Sequence, residues 1–523
     1  MKKRNIGFIF IVGIMLLVLS CKKNNPEVHT HDDSSKDIAI DTTKFTAFFN
    51  KYPEFKNYEG EIRKLYQKHN HYIWHEKRGF IESAEIIYDK VNQLDEEGLQ
   101  RKVPYKNKID ALFTRKGRRE KPNVDSELLL SAMYFYYTDK VLDGIDTSKS
   151  KQTGWYLPRE RVDYVAYLDT LMQEPKLLKD GTEKLFSEYY NLKKGLKKYR
   201  EIKNKGGWGK IELPENVKSL QKGDSAQAVV QLRARLAAEG YFKGNTTSNV
   251  FDDDLYKAVD NYEKSHYSEF DGKVGPQIIG ELNIPVEERI KTISLNMERC
   301  RWISPDIDTL DEYIAVNIPS YRLRYVHDGD IKLISNVVVG KELNKTVVFS
   351  GQMSYIVFSP YWNVPESILE KEIKPGIAKN SNYLAQHNME WYNNGKSVRQ
   401  KPGGNNSLGK VKFMFPNSNN IYLHDTPAKS LFNRNDRAFS HGCVRVQKAK
   451  ELALAITKEQ KGWNEGEVDK AMNASTEQYF NLEKKIPVYI TYFTAWADED
   501  GNVAFFDDIY ERDNSLANLL YKN

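Results

Sequence analysis

The pattern of apolar and polar positions divides the chain into a helical first part and a strand-rich second part. Over residues 43–215, apolar side chains recur mostly at helical spacing, as they do from Ser126 to Leu142. One face of that stretch carries Leu129, Met133, Tyr136 and Tyr137. The spacing predicts a helical domain, and no chemical motif in it points to a task.

Three short helices are predicted between residues 218 and 285, after the glycine-rich stretch Gly206–Gly209. Ser225 is the expected N-cap of the first helix, and Gly240 ends it. The second helix repeats apolar residues at helical spacing: Leu255, Ala258, Val259 and Tyr262. The third carries Ile278, Ile279 and Leu282. This length and order predict a compact three-helix module.

From residue 311 to about 495 the helical spacing gives way to alternation, after a linking helix expected within 286–310. Glu312 to Ile318 alternates as a half-buried strand does, and Asp328-Gly329 marks a hairpin. A helical stretch within 364–400 interrupts the strands. We interpret it as an insertion that could close over a substrate groove, and residues 496–523 as a C-terminal segment.

The first 42 residues predict export. Three basic residues precede an apolar run from Ile6 to Leu19, which suits a signal peptide and is too short to span a bilayer. The run ends at Ser20-Cys21, which resembles a bacterial lipobox and implies a signal peptide over 1–20 and acylation of Cys21. Polar residues 21–42 would then be a flexible tether. An uncleaved membrane anchor is the alternative, and the body is exported in both cases.

Net charge and cysteine content limit which partners and which disulfide bonds are expected. The formal charge of +6 over 523 residues, which falls if the basic signal peptide is removed, gives no case for a nucleic-acid partner. Only three cysteines occur, so a disulfide framework is not expected despite export. Cys300 lies in an amphipathic stretch, where a buried structural cysteine is the expectation.

Cys443 lies in the segment Ser440-His441-Gly442-Cys443-Val444-Arg445, and His424 lies 19 residues upstream. A thiolate becomes an effective nucleophile where a nearby imidazolium or guanidinium lowers the pKa of the thiol. Arg445 could also hold a substrate carboxylate, and Gly442 would let backbone N–H groups approach a developing oxyanion. The pattern favours a nucleophilic cysteine.

Two other interpretations of these residues stay open. Cys443, His424 and His441 would give a zinc ion three ligands, with no fourth at a natural spacing. A buried structural cysteine would need neither histidine.

The arrangement of His424, fifteen intervening residues and then the Ser440-to-Arg445 segment resembles the signature of the YkuD-type L,D-transpeptidases. The stretch from Gly409 to Val446 resembles their large multidomain subgroup, in which Arg445 is usual, whereas many single-domain relatives have Asn. The stretches "GDSAQAVVQLRARLAAEGYF" and "DGKVGPQIIGELN" resemble the small peptidoglycan-binding domain.

The resemblance implies a multidomain α+β fold: an N-terminal helical scaffold, a three-helix peptidoglycan-binding module and a mostly-β catalytic domain with a helical capping insertion. It implies Cys443 as the nucleophile and His424 as the general base, with His441 supporting the oxyanion or the thiolate. Gly442, in the segment that Ser440 begins, would form the oxyanion hole with the N–H of Cys443. No cofactor and no metal are expected.

Arg445, Tyr422 and Trp362 would contact the stem peptide, although core packing explains the two aromatic residues equally well. The implied reaction is ping-pong: Cys443 forms a thioester with a tetrapeptide stem, releases D-alanine and passes the acyl group to another stem as a 3→3 cross-link. Carbapenems are expected to acylate the same cysteine.

The implied partners are peptidoglycan stem peptides and glycan, together with a membrane that holds the lipid on Cys21 and leaves the protein facing the periplasm. The acceptor stays open, because water would make the protein an L,D-carboxypeptidase and a protein lysine is a third choice. A function of another class also stays open, a wall-anchoring lipoprotein whose catalytic domain is inert.

Overall fold

A computed structural model describes residues 38–77, 79–174, 176–177, 185–460 and 463–521. The expected signal peptide and Cys21 lie outside the described residues. No helix within these ranges has both the length and the apolar character needed to cross a bilayer. The expected tether is too long at its C-terminal end, because Tyr72 N–H donates to the carbonyl of Ile38 (3.0 Å) and Ala39 pairs with His71.

The N-terminal domain is helical, as expected. Its helices are α1 (Phe45–Lys51), α2 (Glu59–His69), α3 (Glu82–Asn92), α4 (Lys106–Leu112), α5 (Val124–Thr138), α6 (Thr147–Gln152), α7 (Tyr164–Gln173) and α8 (Glu188–Asn204), with the short strands β1 (His75–Glu76) and β2 (Gly79–Phe80) between α2 and α3. The helix expected within Ser126–Leu142 is present, and Leu129, Met133, Tyr136 and Tyr137 are all buried. Helix α5 is buried on all sides because α2, α3 and α4 surround it, and a π-helical turn (Asp139–Asp143) follows it.

The three-helix module contains α9 (Gln227–Ala238), α10 (Asp253–Ser265) and α11 (Pro276–Leu282), and β3 (Leu220–Gln221) pairs with β4 (Lys273–Val274). Ser225 is not an N-cap, because it bridges Val250 and α9 begins after Ala226. The expected boundary at 215 is also wrong. Ile211 is buried in the module's core, and its carbonyl accepts a hydrogen bond from Asn283 Nδ2 (2.8 Å).

Helix α12 (Val286–Cys300) is more than a linker, because it is packed between the N-terminal and C-terminal parts of the chain. Glu298 Oε1 accepts a hydrogen bond from the N–H of Ile145 (2.6 Å). Arg299 forms a buried ion pair with Asp513 (2.6 Å). One hydrophobic core consequently runs from the N-terminal helices through α12 into the strand-rich domain, and Cys300 is buried in it as a free cysteine.

The strand-rich domain is built on a nine-stranded sheet. Its strands are β5 (Glu312–Asn317), β6 (Arg322–His327), β7 (Asp330–Gly340), β8 (Phe349–Phe358), β12 (Val411–Met414), β13 (Leu423–His424), β14 (Ala438–Ser440), β15 (Val444–Val446) and β16 (Gln478–Thr491). The order is β14-β7-β15-β13-β12-β8-β16-β5-β6, and β6 also pairs with β7, so the sheet closes on itself. The hairpin expected at Asp328-Gly329 joins β6 and β7.

The insertion is not simply helical, which corrects that part of the expected fold. Three short strands, β9 (Trp362–Asn363), β10 (Met389–Tyr392) and β11 (Ser397–Gln400), form a separate sheet. Between β9 and β10 lie α13 (Glu366–Ile368), a π-helical turn (Leu369–Ile373), α14 (Lys374–Lys379) and α15 (Tyr383–Gln386). The insertion has its own small hydrophobic core, so it is a subdomain and not a loop.

The remaining elements complete the fold around the sheet. They are α16 (Ala449–Glu459), α17 (Glu465–Met472), the hairpin of β17 (Ala495–Ala497) and β18 (Val503–Phe505), and α18 (Arg512–Tyr521). Helix α18 packs against α12.

Candidate active site

Two neighbouring parallel strands bring four of the expected site residues onto one face of the sheet. In the pairing of β13 with β15, Leu423 is opposite Val444 and His424 is opposite Arg445. Val444 N–H donates to the carbonyl of Tyr422 (3.2 Å), which places Tyr422 beside Cys443. Because side chains alternate along a strand, Leu423 and Val444 point into the core, and the four polar residues share the outer face.

This two-by-two array is composed of Tyr422, His424, Cys443 and Arg445. Its rows are Tyr422 with Cys443 and His424 with Arg445, so His424 is the diagonal neighbour of the thiol. Diagonal partners in a sheet are separated by roughly 7–8 Å, whereas direct partners are about 5 Å apart. The direct neighbour of Cys443 is therefore Tyr422, whose ring also lies 5.7 Å from that of His424.

Hydrogen bonds hold the loop that carries Cys443. Ser440 Oγ donates to the carbonyl of Cys443 (2.5 Å) and accepts from the N–H of Gly442 (3.1 Å). Thr346 Oγ1 donates to the carbonyl of Gly442 (2.8 Å). Gly442 has a φ of +119°, a conformation that glycine adopts at little cost. The N–H of Gly442 is thus already bonded, and the N–H of Cys443 is the better candidate oxyanion donor.

Cys443 is half-buried, and its thiol donates to the carbonyl of Asn420 (Sγ to O, 3.6 Å). Burial raises the pKa of this thiol above its usual value, against the opposing effects of hydrogen bonding with Tyr422 and the charge of Arg445. In the absence of substrate, Cys443 is therefore mainly a protonated thiol at neutral pH.

His424 is buried, and its Nδ1 donates to the carbonyl of Asp425 (2.5 Å). Because a carbonyl can only accept, the proton of the neutral ring is on Nδ1 and the lone pair is on Nε2. Burial and then the charge of Arg445 lower the pKa of His424 to about 4, although hydrogen bonds to the backbone of Asp425 and Leu408 act in the other direction. His424 is consequently neutral at physiological pH and able to accept a proton.

Arg445 is the cation of the array. Burial lowers the pKa of its guanidinium, and its Nε is buried without a hydrogen-bond partner within the described chain. Binding of an anion would stabilise Arg445, because a carboxylate would supply the missing hydrogen-bond acceptor.

His441 and Trp362 lie with the capping subdomain and not within the array. His441 is largely exposed, and its Nε2 is 3.6 Å from Oε1 of Glu372, in the π-helical turn of the subdomain. Trp362 pairs with Gln400 and packs against the core of the subdomain. The capping subdomain thus contacts His441, which lies two residues before Cys443.

No sequence pattern points to Thr346 or Glu372, because both are far along the chain from the residues they contact. Asp425 was missed although it follows His424 directly. Its carboxylate accepts from the N–H of Lys410 (2.9 Å) and pairs with Lys429 (2.6 Å). In the part of the chain that the structure describes, no group of three or more His, Cys, Asp or Glu residues is placed to hold a metal ion.

Three families match this chain. Residues 311–469 match an L,D-transpeptidase catalytic domain named YkuD, residues 60–196 match a scaffold domain, and residues 225–282 match a "Putative peptidoglycan binding domain". The expected catalytic and peptidoglycan-binding families are confirmed.

A curated Haemophilus influenzae protein named "Putative L,D-transpeptidase" is 35% identical over 242 residues, which cover 43% of this chain and 48% of that protein. The chain thus spans about half the length of this curated relative. An L,D-transpeptidase structure from Xylanimonas cellulosilytica is 14% identical, covers 53% of this chain and 100% of that chain, and has a TM-score of 0.18. One from Stackebrandtia nassauensis is 13% identical, covers 52% and 95%, and has a TM-score of 0.21.

Proposed function

We propose that this chain, in which residues 311–469 form a YkuD-type L,D-transpeptidase catalytic domain, forms 3→3 cross-links in peptidoglycan. The observation that carries the proposal is the array itself. It puts a thiol, a neutral imidazole and an unpaired guanidinium on one outer face of the sheet. These are the groups that an acyl transfer from a peptide with a free carboxylate requires.

In the first half-reaction, Cys443 gives its proton to Nε2 of His424 as the thiolate attacks the carbonyl of the third stem residue. The tetrahedral oxyanion is held by the N–H of Cys443. The intermediate collapses with cleavage of the peptide bond, and the imidazolium protonates the departing amine of D-alanine. A thioester on Cys443 remains.

In the second half-reaction, the side-chain amine of another stem attacks the thioester. His424 takes a proton from this amine, the carbon–sulfur bond breaks, and an amide joins two third-position residues. Water in place of the amine would release a tripeptide. The capping subdomain, which reaches His441 through Glu372, is placed to influence which acceptor enters.

Substrate binding prepares the base, and the proton of Cys443 is transferred only as the thiol attacks. The raised pKa of Cys443 means that little thiolate exists before the donor binds. Arg445 lies beside both His424 and Cys443, and a stem carboxylate bound to it would reduce its effect on the imidazole. The pKa of His424 would then rise towards that of a working base. Tyr422 contacts the thiol and is a stem-peptide contact in this proposal.

We place the protein in the cell envelope, acylated on Cys21 and facing the periplasm. Support comes from the lipobox-like sequence and from the peptidoglycan-binding domain at residues 225–282. Labelling of cells with an alkyne-bearing fatty acid should mark the wild-type protein and not Cys21→Ala. Equal labelling of both proteins would contradict acylation at this residue.

The enzymatic proposal is tested with purified tetrapeptide muropeptides and mass spectrometry, comparing the wild type with Cys443→Ala. We expect a dimer that has lost one D-alanine, joined between two third-position residues, from the wild type alone. A Cys443-dependent tripeptide without dimer would instead make the protein a carboxypeptidase. Absence of product from both proteins, with retained binding to sacculi, would support the anchoring function.

A further inference from the structure

One segment of the N-terminal domain is strongly basic. Residues 106–121, which contain α4 and the turns after it, carry seven lysine and arginine side chains and two carboxylates. Residues 75–92, which pack against this segment, add three cations and four carboxylates. The two segments together have four positive charges in excess, whereas the whole chain of 523 residues has six. Much of the net charge is therefore concentrated in this region.

Five of these cations have no carboxylate partner. Lys106 pairs with Asp110, and Arg118 pairs with Glu85 of α3. Glu120 is exposed and forms no ion pair within the described residues, so it offsets one charge at most. The five remaining cations, here called the basic patch, are exposed and lie beyond ion-pair distance of every carboxylate that the structure describes: Lys108, Arg115, Lys116, Arg119 and Lys121.

Helix α8 is similarly rich in basic residues but differs in its partners. Lys193 pairs with Glu97 (2.7 Å). Arg200 pairs with Asp95 (3.1 Å). Carboxylates from other elements thus compensate much of the charge of α8. The basic patch lacks such partners, so an external anionic surface would relieve the repulsion among its charges.

The fold holds the basic patch in place. Phe113, the residue after α4, is buried, and its ring stacks on that of Tyr88 with centroids 3.8 Å apart. Arg118 Nε donates to the carbonyl of Phe113 (3.0 Å). A Cβ on Gly117 would overlap the carbonyl of Ala111, because the turn packs directly on the end of α4. The basic patch is consequently part of the folded domain.

The basic patch is also near the place where the expected tether joins the folded domain. Ala39 pairs with His71, four residues before β1. Strand β1 pairs with β2, and a Cβ on Gly79 of β2 would lie 3.7 Å from the carbonyl of Arg118. This path is at most about 35 Å long. The sixteen residues between Cys21 and the first described residue span at most about 55 Å, so a membrane that holds Cys21 is within reach of the patch.

We propose that the basic patch docks the N-terminal domain on the anionic phospholipid headgroups of the membrane that holds the lipid on Cys21. The choice of a membrane rests on the proposed acylation. Lysine and arginine side chains are attracted to a bilayer with anionic lipids, and the attraction acts over a Debye length, about 8 Å at physiological salt. Docking fixes which face of the N-terminal domain is turned to the membrane, which the tether alone does not.

Co-sedimentation with lipid vesicles tests the proposal on the chain from residue 22 onward, which lacks the lipid and keeps every described residue. Vesicles of phosphatidylglycerol and phosphatidylcholine are compared with vesicles of phosphatidylcholine alone. We expect binding to the anionic vesicles only, and weaker binding as the salt concentration is raised. The triple variant Lys116→Gln, Arg119→Gln and Lys121→Gln should lower the partition coefficient by about tenfold to hundredfold.

A second triple variant removes the same charge outside the basic patch: Lys197→Gln, Lys205→Gln and Lys210→Gln. These three lysines are exposed and form no ion pair within the described residues. This variant should bind the anionic vesicles as the wild type does. Thermal unfolding verifies that both variants are folded. Neither should change the products of the muropeptide assay, because none of the six residues belongs to the array around Cys443.

The proposal is overturned if the wild type does not bind anionic vesicles, if it binds neutral vesicles equally well, or if the two triple variants lose affinity equally. Binding to purified sacculi that only the patch variant loses, without vesicle binding, would make the wall polymer the partner instead. Fatty-acid labelling of Cys21 tests the anchor separately. Labelling without vesicle binding would keep the anchor and remove the docking, and patch-dependent vesicle binding without labelling would do the reverse.

Discussion

Thr346 and Gly442 are joined by a hydrogen bond of 2.8 Å, from the threonine Oγ1 to the glycine carbonyl, across 96 residues of sequence. Thr346 is fully buried, and its Oγ1 also accepts from the N–H of Gly340 (2.9 Å). Tyr510, from the C-terminal part of the chain, donates to the carbonyl of Gly340 (2.5 Å). Thr346 thus holds the loop before Cys443. Gly340, at the end of β7, connects Thr346 to Tyr510 of the C-terminal segment.

Thr346→Val should lower kcat by roughly 5- to 100-fold, because it removes the donor to Gly442 and leaves a buried carbonyl without its partner, a loss of about 1–3 kcal/mol. Thr346→Ser keeps the hydroxyl and should retain most of the activity. Steady-state kinetics on muropeptides, with thermal unfolding of both variants, checks this prediction. An unchanged kcat in the valine variant, which keeps the methyl group and lacks the hydroxyl, would contradict the role of this hydrogen bond in positioning the loop.

Gly409→Ala should disturb the environment of His424. A Cβ at this position, where φ is +62°, would overlap Oδ2 of Asp425, the atom that accepts the N–H of Lys410. Gly395→Ala is the matched control, because φ there is +77° and nothing lies within 4 Å. Both changes carry the cost of a left-handed residue, about 1 kcal/mol. Only Gly409→Ala should also lower kcat, because the Asp425 carbonyl accepts the hydrogen bond from Nδ1 of His424. Equal kinetics for the two variants would mean that Asp425 does not position His424.

Alkylation of Cys443 by iodoacetamide in the absence of substrate should be slow at neutral pH and should still be increasing above about pH 9. Burial raises the pKa of this thiol, so the thiolate fraction at each pH is smaller than in a free cysteine. Arg445→Met removes a charge that lowers this pKa and should slow alkylation further. The pH profile of the alkylation rate gives the answer, and a plateau below pH 8 would mean that the thiol is already activated in the free protein.

His441 and His424 should differ strongly on substitution. His441 is exposed beside Glu372, and an exposed pair of this kind contributes about 0–1 kcal/mol. His441→Gln should therefore change kcat/KM by less than about tenfold, whereas His424→Gln removes the proposed base and should lower it by roughly 100- to 10,000-fold. Comparable losses in the two variants would favour the alternative role of His441 at the oxyanion or thiolate.

Glu263, on α10 of the three-helix module, should make the stability of that module pH-dependent. Burial, and then the charge of Glu281, raise its pKa from 4.5 to about 7. Its proton stays bound in the folded state after the unfolded chain has lost it. The associated stability is complete below about pH 4.5 and is lost as the pH rises to about 7.

Glu263→Gln, which cannot ionise, should therefore stabilise the module at about pH 8, by on the order of 1 kcal/mol after allowance for solvent screening, and give no such gain at about pH 4. Hydrogen exchange of the α10 amides in the full chain measures this difference. Equal effects at the two pH values would contradict it.

That His424 and Cys443 come together was predictable, because they lie close in sequence and the segment around each of them reads as a short strand. His424 and Cys443 end up on one face because each lies in or directly before a short strand, and the strands are neighbours. What the sequence could not provide is the register of those strands. A shift by two residues would place His424 opposite Cys443 and keep Leu423 and Val444 on the buried face, so the alternation of apolar residues does not distinguish the two registers.

The capping subdomain was the least predictable part, also for a local reason. Strand β9 has two residues and β11 has four, too few for an alternating pattern to stand out. The helical spacing after Glu366 is real, but Pro375 and Gly376 lie within it, and the helix is divided into short pieces. Ile211 was assigned to the wrong domain because its partner Asn283 is 72 residues away.

Because α12 is buried between the N-terminal helices and α18, it determines which parts of the chain unfold together and where the chain can be truncated. Truncation at residue 310, where the pattern of the sequence places a boundary, would leave Arg299 on one fragment and its buried partner Asp513 on the other. Buried charges separated in this way lose their compensation, so neither fragment is self-sufficient. The N-terminal and strand-rich parts thus behave as a single cooperative folding unit, and the three-helix module, with a core of its own, is the one segment suited to autonomous folding.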